Sequence, residues 1–359
     1  MRAKSAWIAG ALILPAAALA HDAGQTVTFS GRSTARFSVQ QAQDRGPRVV
    51  YDSGLSDDIA GEWDTVLIQG ESADPAIVFS AAHAGGEDWK DLEMHRFADG
   101  RFWGKARMGK AAGALRLRAR DSGARGGHDV TVYTTEVFVE ETVDFGAPAA
   151  LLNGPRHPDA PRPLIHKRSE WGAVAPKQLW LPDPLPWRVT IHHSEGRRTT
   201  TLKQSEAEAR FIQNFHIHGR GWSDIAYHFL VDARGNILEG RPEGVLGAHT
   251  LGNNEGNVGI VLLGTYHPPV NDAPTKAQLD AVAALGRYLV SRYGIDPKSL
   301  RGHRDYKRGT VCPGDRAYAK LDILRLAFAG IPRPPAFRKP AAPLFWLKEP
   351  SFDGPRRVR

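Results

Sequence analysis

The apolar residues of this chain change their period partway along it, and that change limits the folds open to it. From Gln25 to about Asp144 the rhythm is two residues. Ala114-Leu115-Arg116-Leu117-Arg118-Ala119-Arg120 alternates apolar and charged side chains, the mark of a strand with one solvated face. Val130-Thr131-Val132-Tyr133 and Val137-Phe138-Val139 continue the pattern, and Asp99-Gly100, Asp121-Ser122-Gly123 and Gly126-Gly127 supply turns. With no helical period here, residues 25–145 are expected to form a β-rich domain, an antiparallel sandwich. Its Arg116, Arg118 and Arg120 read as a solvated strand face, and Trp63, Trp89 and Trp103 as core.

A stretch rich in Ala, Pro and Gly, residues 146–163, reads as a linker. Beyond it strands and helices alternate. Arg188-Val189-Thr190-Ile191 is a strand running into His192-His193, and Ser205 to His218 a helix with Ala207, Phe211 and Phe215 along one face. Ala226 to Val231 and Ile237-Leu238-Glu239 are strands around a turn. Val258 to Leu263 is nearly all apolar, as a buried central strand should be. Thr275 and Gln278 form a capping box for a long helix that Gly294 ends. Residues 164–330 are therefore expected to be an α/β domain, a mixed central sheet flanked by helices.

Charge and termini narrow the function. The chain of 359 residues carries a net charge of +8. A tail, residues 331–359, holds seven basic against two acidic residues and many prolines. Such a tail could hold an anionic cell-wall surface, while no nucleic-acid-binding module accompanies the charge. At the other end Arg2 and Lys4 precede an apolar run, and Ala18-Leu19-Ala20 forms a cleavage-site pattern. Residues 1–20 thus read as a signal peptide, and the protein as exported, periplasmic or secreted. The run is shorter than the ~20 residues a transmembrane helix needs, and no later segment is long and apolar enough to span.

An exported protein lives where disulfides form, yet this one has a single cysteine, Cys312. Such a thiol is expected to be paired with another chain, buried or bound to metal, and a bound zinc ion would explain it, because a coordinating thiol is deprotonated and occupied. His192 at a strand end, His303 in Gly302-His303-Arg304-Asp305 and Cys312 make a three-ligand zinc set, the number that catalytic zinc sites keep while leaving a fourth position for water. Zinc makes hydroxide available at neutral pH and polarises a carbonyl, the two requirements of amide hydrolysis beside a proton donor for the leaving nitrogen.

Six segments occur in a family's order: Ile191-His192-His193-Ser194, Gly221-Trp222-Ser223-Asp224-Ile225-Ala226-Tyr227-His228-Phe229, Gly247-Ala248-His249, Asn257-Val258-Gly259-Ile260, Gly302-His303-Arg304-Asp305 and Thr310-Val311-Cys312-Pro313-Gly314. In these the second domain resembles the peptidoglycan recognition proteins, a family that includes zinc-dependent N-acetylmuramoyl-L-alanine amidases. The resemblance implies Zn2+ held by His192, His303 and Cys312. It implies that Tyr227 stabilises an oxyanion or moves a proton, that Thr310 lines the site, and that His249 and Asn254 line the substrate groove. His193, next along the strand, is expected on its opposite face with a structural role.

Three positions depart from the family pattern. The segment from His303 to Cys312 is one residue longer. Pro242-Glu243 follows Glu239-Gly240-Arg241 where members selective for the third stem-peptide residue carry Gly-Trp, so that preference is not legible. Val258 to Leu263 lacks the carboxylate of a related recycling group. The expected activity is cleavage of the amide bond between N-acetylmuramic acid and L-alanine in peptidoglycan or muropeptides. The alternative is muropeptide recognition without cutting, and Cys312 favours catalysis.

Overall fold

The computed structural model describes residues 24–40, 47–123, 126–140 and 160–330. The signal segment, most of the linker and the basic tail lie outside the described residues.

The first domain is a β-sandwich. Its strands are β1 (Gln25–Val27), β2 (Ala35–Val39), β3 (Arg48–Leu55), β4 (Glu62–Ser72), β5 (Ile77–His83), β6 (Lys90–Asp91), β7 (Glu93–Arg96), β8 (Arg101–Ala112), β9 (Leu115–Asp121) and β10 (His128–Phe138). One sheet runs β1-β10-β4-β8-β7, with β2 also on β10; the other runs β3-β9-β5-β6. Every pairing is antiparallel. Val66, Ile68, Phe102, Val130 and Val132 of the first sheet meet Ile77, Phe79, Leu115 and Leu117 of the second in one core.

In β9 the buried and half-exposed residues alternate without a break, as the sequence rhythm requires. The arginine row is paired rather than bare. Arg116 meets Asp52 at 2.8 Å and Arg120 meets Asp91 at 2.5 Å, while Arg118 lies 3.9 Å over the half-buried Trp89 ring. Trp63 and Trp103 are core residues.

The second domain contains a five-stranded sheet in the order β13-β12-β14-β11-β15. Its elements are β11 (Arg188–His193), α1 (Leu202–Asn214), β12 (Phe229–Val231), β13 (Ile237–Glu239), β14 (Asn257–Leu262), α2 (Lys276–Tyr293), β15 (Arg301–Gly302), α3 (Asp315–Tyr318) and α4 (Leu321–Phe328). β11 is parallel to β14 and β15, β12 is parallel to β14, and β13 is antiparallel to β12. The sheet is mixed, and helices α2 and α4 pack on one face through Val282, Leu285, Leu289, Leu324 and Phe328. β14 is buried along its whole length, as its apolar run predicts.

Two local details differ from expectation. The strand expected from Ala226 is shorter, because the carbonyls of Ala226 and Tyr227 bind the N–H groups of Ala248 and Arg241 and draw the chain off the ladder before Phe229. At α2, Thr275 Oγ1 accepts the Gln278 N–H at 3.0 Å, but the Gln278 side chain does not close the box. It is buried and instead takes the Tyr266 hydroxyl at 2.9 Å and donates to the Val231 carbonyl at 2.9 Å. Satisfying buried polar groups outweighs a solvent-side cap.

The two domains share a buried interface. β4 and β10 show almost continuous burial rather than alternation, since their second face is covered by α1. Leu67 and Trp103 from the sandwich pack with Phe211, Phe215, Trp171 and Ile225 of the second domain. At the centre Arg101, fully buried, pairs with buried Glu208 of α1 through two contacts of 3.1 and 3.0 Å. Arg101 also donates to Gln69 Oε1 and the Gly70 carbonyl, each at 2.9 Å. Helix α1 continues into a π turn, Phe215–Gly219.

Removing one partner of such a pair strands a buried charge. Glu208→Ala should destabilise the chain by about 3–5 kcal/mol, read as a loss of unfolding free energy in denaturant. The Arg101→Met, Glu208→Leu pair should recover most of it.

A second expectation concerns acid. His228, just before β12, donates from Nε2 to the Val245 carbonyl at 2.9 Å and accepts the Gly259 N–H on Nδ1 at 3.0 Å, a neutral tautomer. Burial, with Arg241 nearby, depresses its pKa from 6.5 to about 4. The unfolded chain therefore binds the proton first as pH falls. The stabilisation is complete above the unfolded pKa of 6.5 and is lost as pH drops toward about 4, by about 3 kcal/mol over that window. Unfolding of wild type and His228→Gln across this range should show a shallower pH slope in the variant.

Candidate metal centre

Strand β11 delivers His192 to the centre of the sheet's C-terminal edge. Its neighbour β15 ends at Gly302, which places His303 at the start of the next turn beside it. The loop that follows returns Cys312, whose carbonyl accepts the Arg304 N–H at 3.0 Å. The nitrogen and sulfur donor atoms of His192, His303 and Cys312 then lie within 4.8 Å of one another, and all three residues are buried. Cys312 Sγ is 3.6 Å from His192 Nδ1. Ligands at ~2.3 Å (sulfur) and ~2.0 Å (nitrogen) on one tetrahedral zinc would stand about 3.6 Å apart. The donor set fits zinc.

The histidine tautomer agrees with this fit. His249 Nε2 donates to the Asn257 carbonyl at 2.9 Å, which leaves Nδ1 as an acceptor. His192 Nε2 lies 3.0 Å from that Nδ1 and donates to it. The lone pair of His192 is thereby placed on Nδ1, the atom that faces Cys312. A ring nitrogen fixed by an outer hydrogen bond is the usual support of a metal-ligating histidine. Burial, followed by the nearby His303 and His249 rings, holds the His192 pKa well below its ordinary value. The ring is neutral and able to ligate at physiological pH.

His249 can approach this closely because two neighbours lack side chains. A Cβ on Gly259 would fall 2.6 Å from the His249 ring, and one on Gly247 would fall 2.5 Å from it. Asn254 secures the same loop, its Oδ1 accepting the N–H groups of His249 and Thr250 at 2.8 and 2.7 Å. Asn254 is buried and is not among the residues lining the cavity, whereas His249 lines it.

A cavity of about 450 Å³ opens over the three donors. Tyr227 is half-buried in its wall, its ring 5.2 Å from that of His192. Thr310 also lines the cavity and accepts the Cys312 N–H on its hydroxyl at 3.2 Å. The extra residue in this loop, which contains Gly309 at φ +82°, leaves Thr310 beside the cysteine. Pro242 and Glu243 are not among the lining residues. Glu243 faces α2, where the Tyr288 and Tyr293 hydroxyls donate to it at 3.1 and 3.0 Å.

The structure adds two things that sequence reasoning missed. His216, in the π turn, lines the cavity with its ring 5.7 Å from Tyr227. It accepts the Ala226 N–H at 3.1 Å. The other is a wall supplied by the sandwich, through Gln25, Thr26, Ala60, Gln69 and Glu136. Lys307 Nζ donates to the Gly24 carbonyl at 2.9 Å, and Arg220 pairs with Glu136, tying that wall down. No local pattern in the sequence marks these residues, because each becomes a cavity residue only through the domain interface.

No helix among the described residues is long and apolar enough to cross a membrane.

Comparison with known proteins agrees with the geometry. The profile of the Amidase_2 family, described as N-acetylmuramoyl-L-alanine amidase, matches residues 182–315. Peptidoglycan-recognition protein LB of Drosophila melanogaster is 39% identical over 157 residues, covering 43% of this chain and 66% of that protein. Peptidoglycan-recognition protein SC2 of the same species is 35% identical over 159 residues, 44% of this chain and 84% of that protein. The N-acetylmuramoyl-L-alanine amidase of Sus scrofa is 36% identical over 167 residues, which are 44% of this chain and 27% of that protein. The chain thus spans about two thirds of the first of these relatives and little more than a quarter of the last. With buried His192, His303 and Cys312 gathered at the sheet edge and this degree of identity across the same domain, the chain belongs to the family of peptidoglycan recognition proteins and N-acetylmuramoyl-L-alanine amidases.

Proposed function

We propose that this protein is an exported zinc amidase that hydrolyses the bond between the lactyl group of N-acetylmuramic acid and L-alanine in peptidoglycan. The observation that carries the reading is the group formed by His192, His303 and Cys312, with donor atoms within 4.8 Å of one another under Tyr227 in an open cavity. A zinc ion bound there supplies a water acidified to a pKa of about 7 and a Lewis acid for the scissile carbonyl.

The chain's own groups do the rest. The hydrogen-bond relay from the Asn257 carbonyl through His249 to His192 keeps the ligating lone pair aimed inward. Tyr227 presents a phenol beside His192, placed to donate to negative charge developing on the carbonyl oxygen or to deliver a proton to the departing alanine nitrogen. Thr310, held by the Cys312 N–H, keeps its own hydroxyl proton available to the cavity. The substrate is expected to lie across both domains, since Thr26 and Glu136 face the same space as Tyr227.

Purified mature protein incubated with bacterial sacculi should release peptides with a free N-terminal alanine and leave the glycan strands intact, with the release stopped by chelator. Binding without release by the zinc-loaded protein would instead make this a recognition protein. Cys312→Ala should abolish release and most zinc binding at this centre. Tyr227→Phe should keep the zinc and lower kcat by about 10²-fold; an unchanged rate would remove Tyr227 from the chemistry.

A further inference from the structure

We propose that His193, Glu195 and His267 form a second site for a divalent cation of zinc's class, separate from the group formed by His192, His303 and Cys312. Successive residues of a strand point to opposite faces, so β11 sends His192 one way and His193 the other. On its side His193 meets Glu195, from the turn after β11, and His267, from the loop after β14. Their donor atoms all lie within 4.8 Å of one another. His267 Nε2 is 3.0 Å from Glu195 Oε1.

One feature points to a ligand, and a second accommodates it. His193 is 3% exposed, yet neither ring nitrogen has a hydrogen-bond partner among the described residues. A buried imidazole without partners costs roughly 1–3 kcal/mol for each polar atom stranded. A metal bond removes part of that cost, and neutral imidazole is the form that ligates. The second feature is the tautomer of His267. Its Nδ1 donates to the Pro268 carbonyl at 2.8 Å, so in the neutral ring the lone pair of Nε2 faces a carboxylate oxygen. The cation between two such lone pairs is either a proton on Nε2, which makes the 3.0 Å contact an ion pair, or a metal ion that replaces that proton. The carbonyl partner on Nδ1 is also the outer support that metal-ligating histidines carry.

Two imidazoles and a carboxylate are a ligand set that suits zinc. Ligands on one tetrahedral zinc would be spaced about 3.3 Å apart, close to the 3.0 Å between His267 and Glu195, while the 4.8 Å bound on the whole set leaves His193 a movement of up to about 1.5 Å to close on an ion. The cavity wraps the end of β11 and is lined by both His193 and Glu195, which gives an ion a route in. The opposing charge is Arg304, which is itself engaged by Asp315 at 2.7 Å. Ser33 of the sandwich donates to Glu195 at 3.3 Å, so an ion here would tie the loops after β11 and β14 together at the domain interface.

The test is metal stoichiometry on the full mature chain, stripped, reloaded with zinc and freed of excess. Wild type should retain about two equivalents. His267→Gln and Glu195→Gln should each retain about one. The Cys312→Ala, His303→Ala double variant should also retain about one, held without sulfur. Loaded with cobalt, that double variant should show weak d–d absorption and no thiolate charge-transfer band. A single equivalent in wild type, a second equivalent that persists in both His267→Gln and Glu195→Gln, or no metal in the double variant would overturn the proposal. None of these readings depends on amidase activity, so failure here leaves the reading of the first centre standing.

Discussion

The ion pair between Arg101 and Glu208 is the interaction around which the two domains are organised. A guanidinium and a carboxylate taken fully out of water are costly, and their attraction compensates only when the remaining donors and acceptors are also satisfied. Here Gln69 and the Gly70 carbonyl take the other donors of Arg101, and the Phe211 ring lies 3.8 Å from its guanidinium carbon. Such a set works in one relative placement of the domains. That placement presses Leu67 and Trp103 onto α1 and brings the first strand of the sandwich to the rim of the cavity. The proposed substrate groove therefore belongs to both domains, and the sandwich is part of its wall rather than an appended module.

Within the second domain β11 has the comparable role. It is hydrogen-bonded on both edges to parallel strands, which fixes its register and so the face to which each of its two histidines turns. His192 enters the cluster with His303 and Cys312, and His193 enters the one with Glu195 and His267. Burial keeps both rings neutral, with His193 depressed to about 3. What each can then do depends on its partners: His192 has the relay through His249, and His193 has none among the described residues. Strand alternation sends two adjacent and chemically identical residues to different faces, and the partners met there set them apart.

Much of this was legible because it is local. The alternation of β9, the Thr275 cap and Gly294 stop of α2, and the apolar run of β14 depend on neighbours a few residues away. The lone cysteine and the ordered histidine motifs pointed to the centre, and the fold brought His192, His303 and Cys312 together. Less legible was Glu208, which a helical pattern reads as a solvated face, and Gln278, which reads as a cap but satisfies buried groups. Asn254 matched a groove position by motif, while its side chain holds the His249 loop.

The sequence by itself determined the two domain classes and the residue types that offer a metal-binding group, because periodicity and ligand chemistry are properties of residue types and short spacings. Only the tertiary structure decided which sheet face would be covered twice, which histidine nitrogen would carry its proton, and that Glu195 and His267 would meet His193. Each of those depends on groups that are remote in the chain and adjacent in space, where burial removes the water that would otherwise satisfy them.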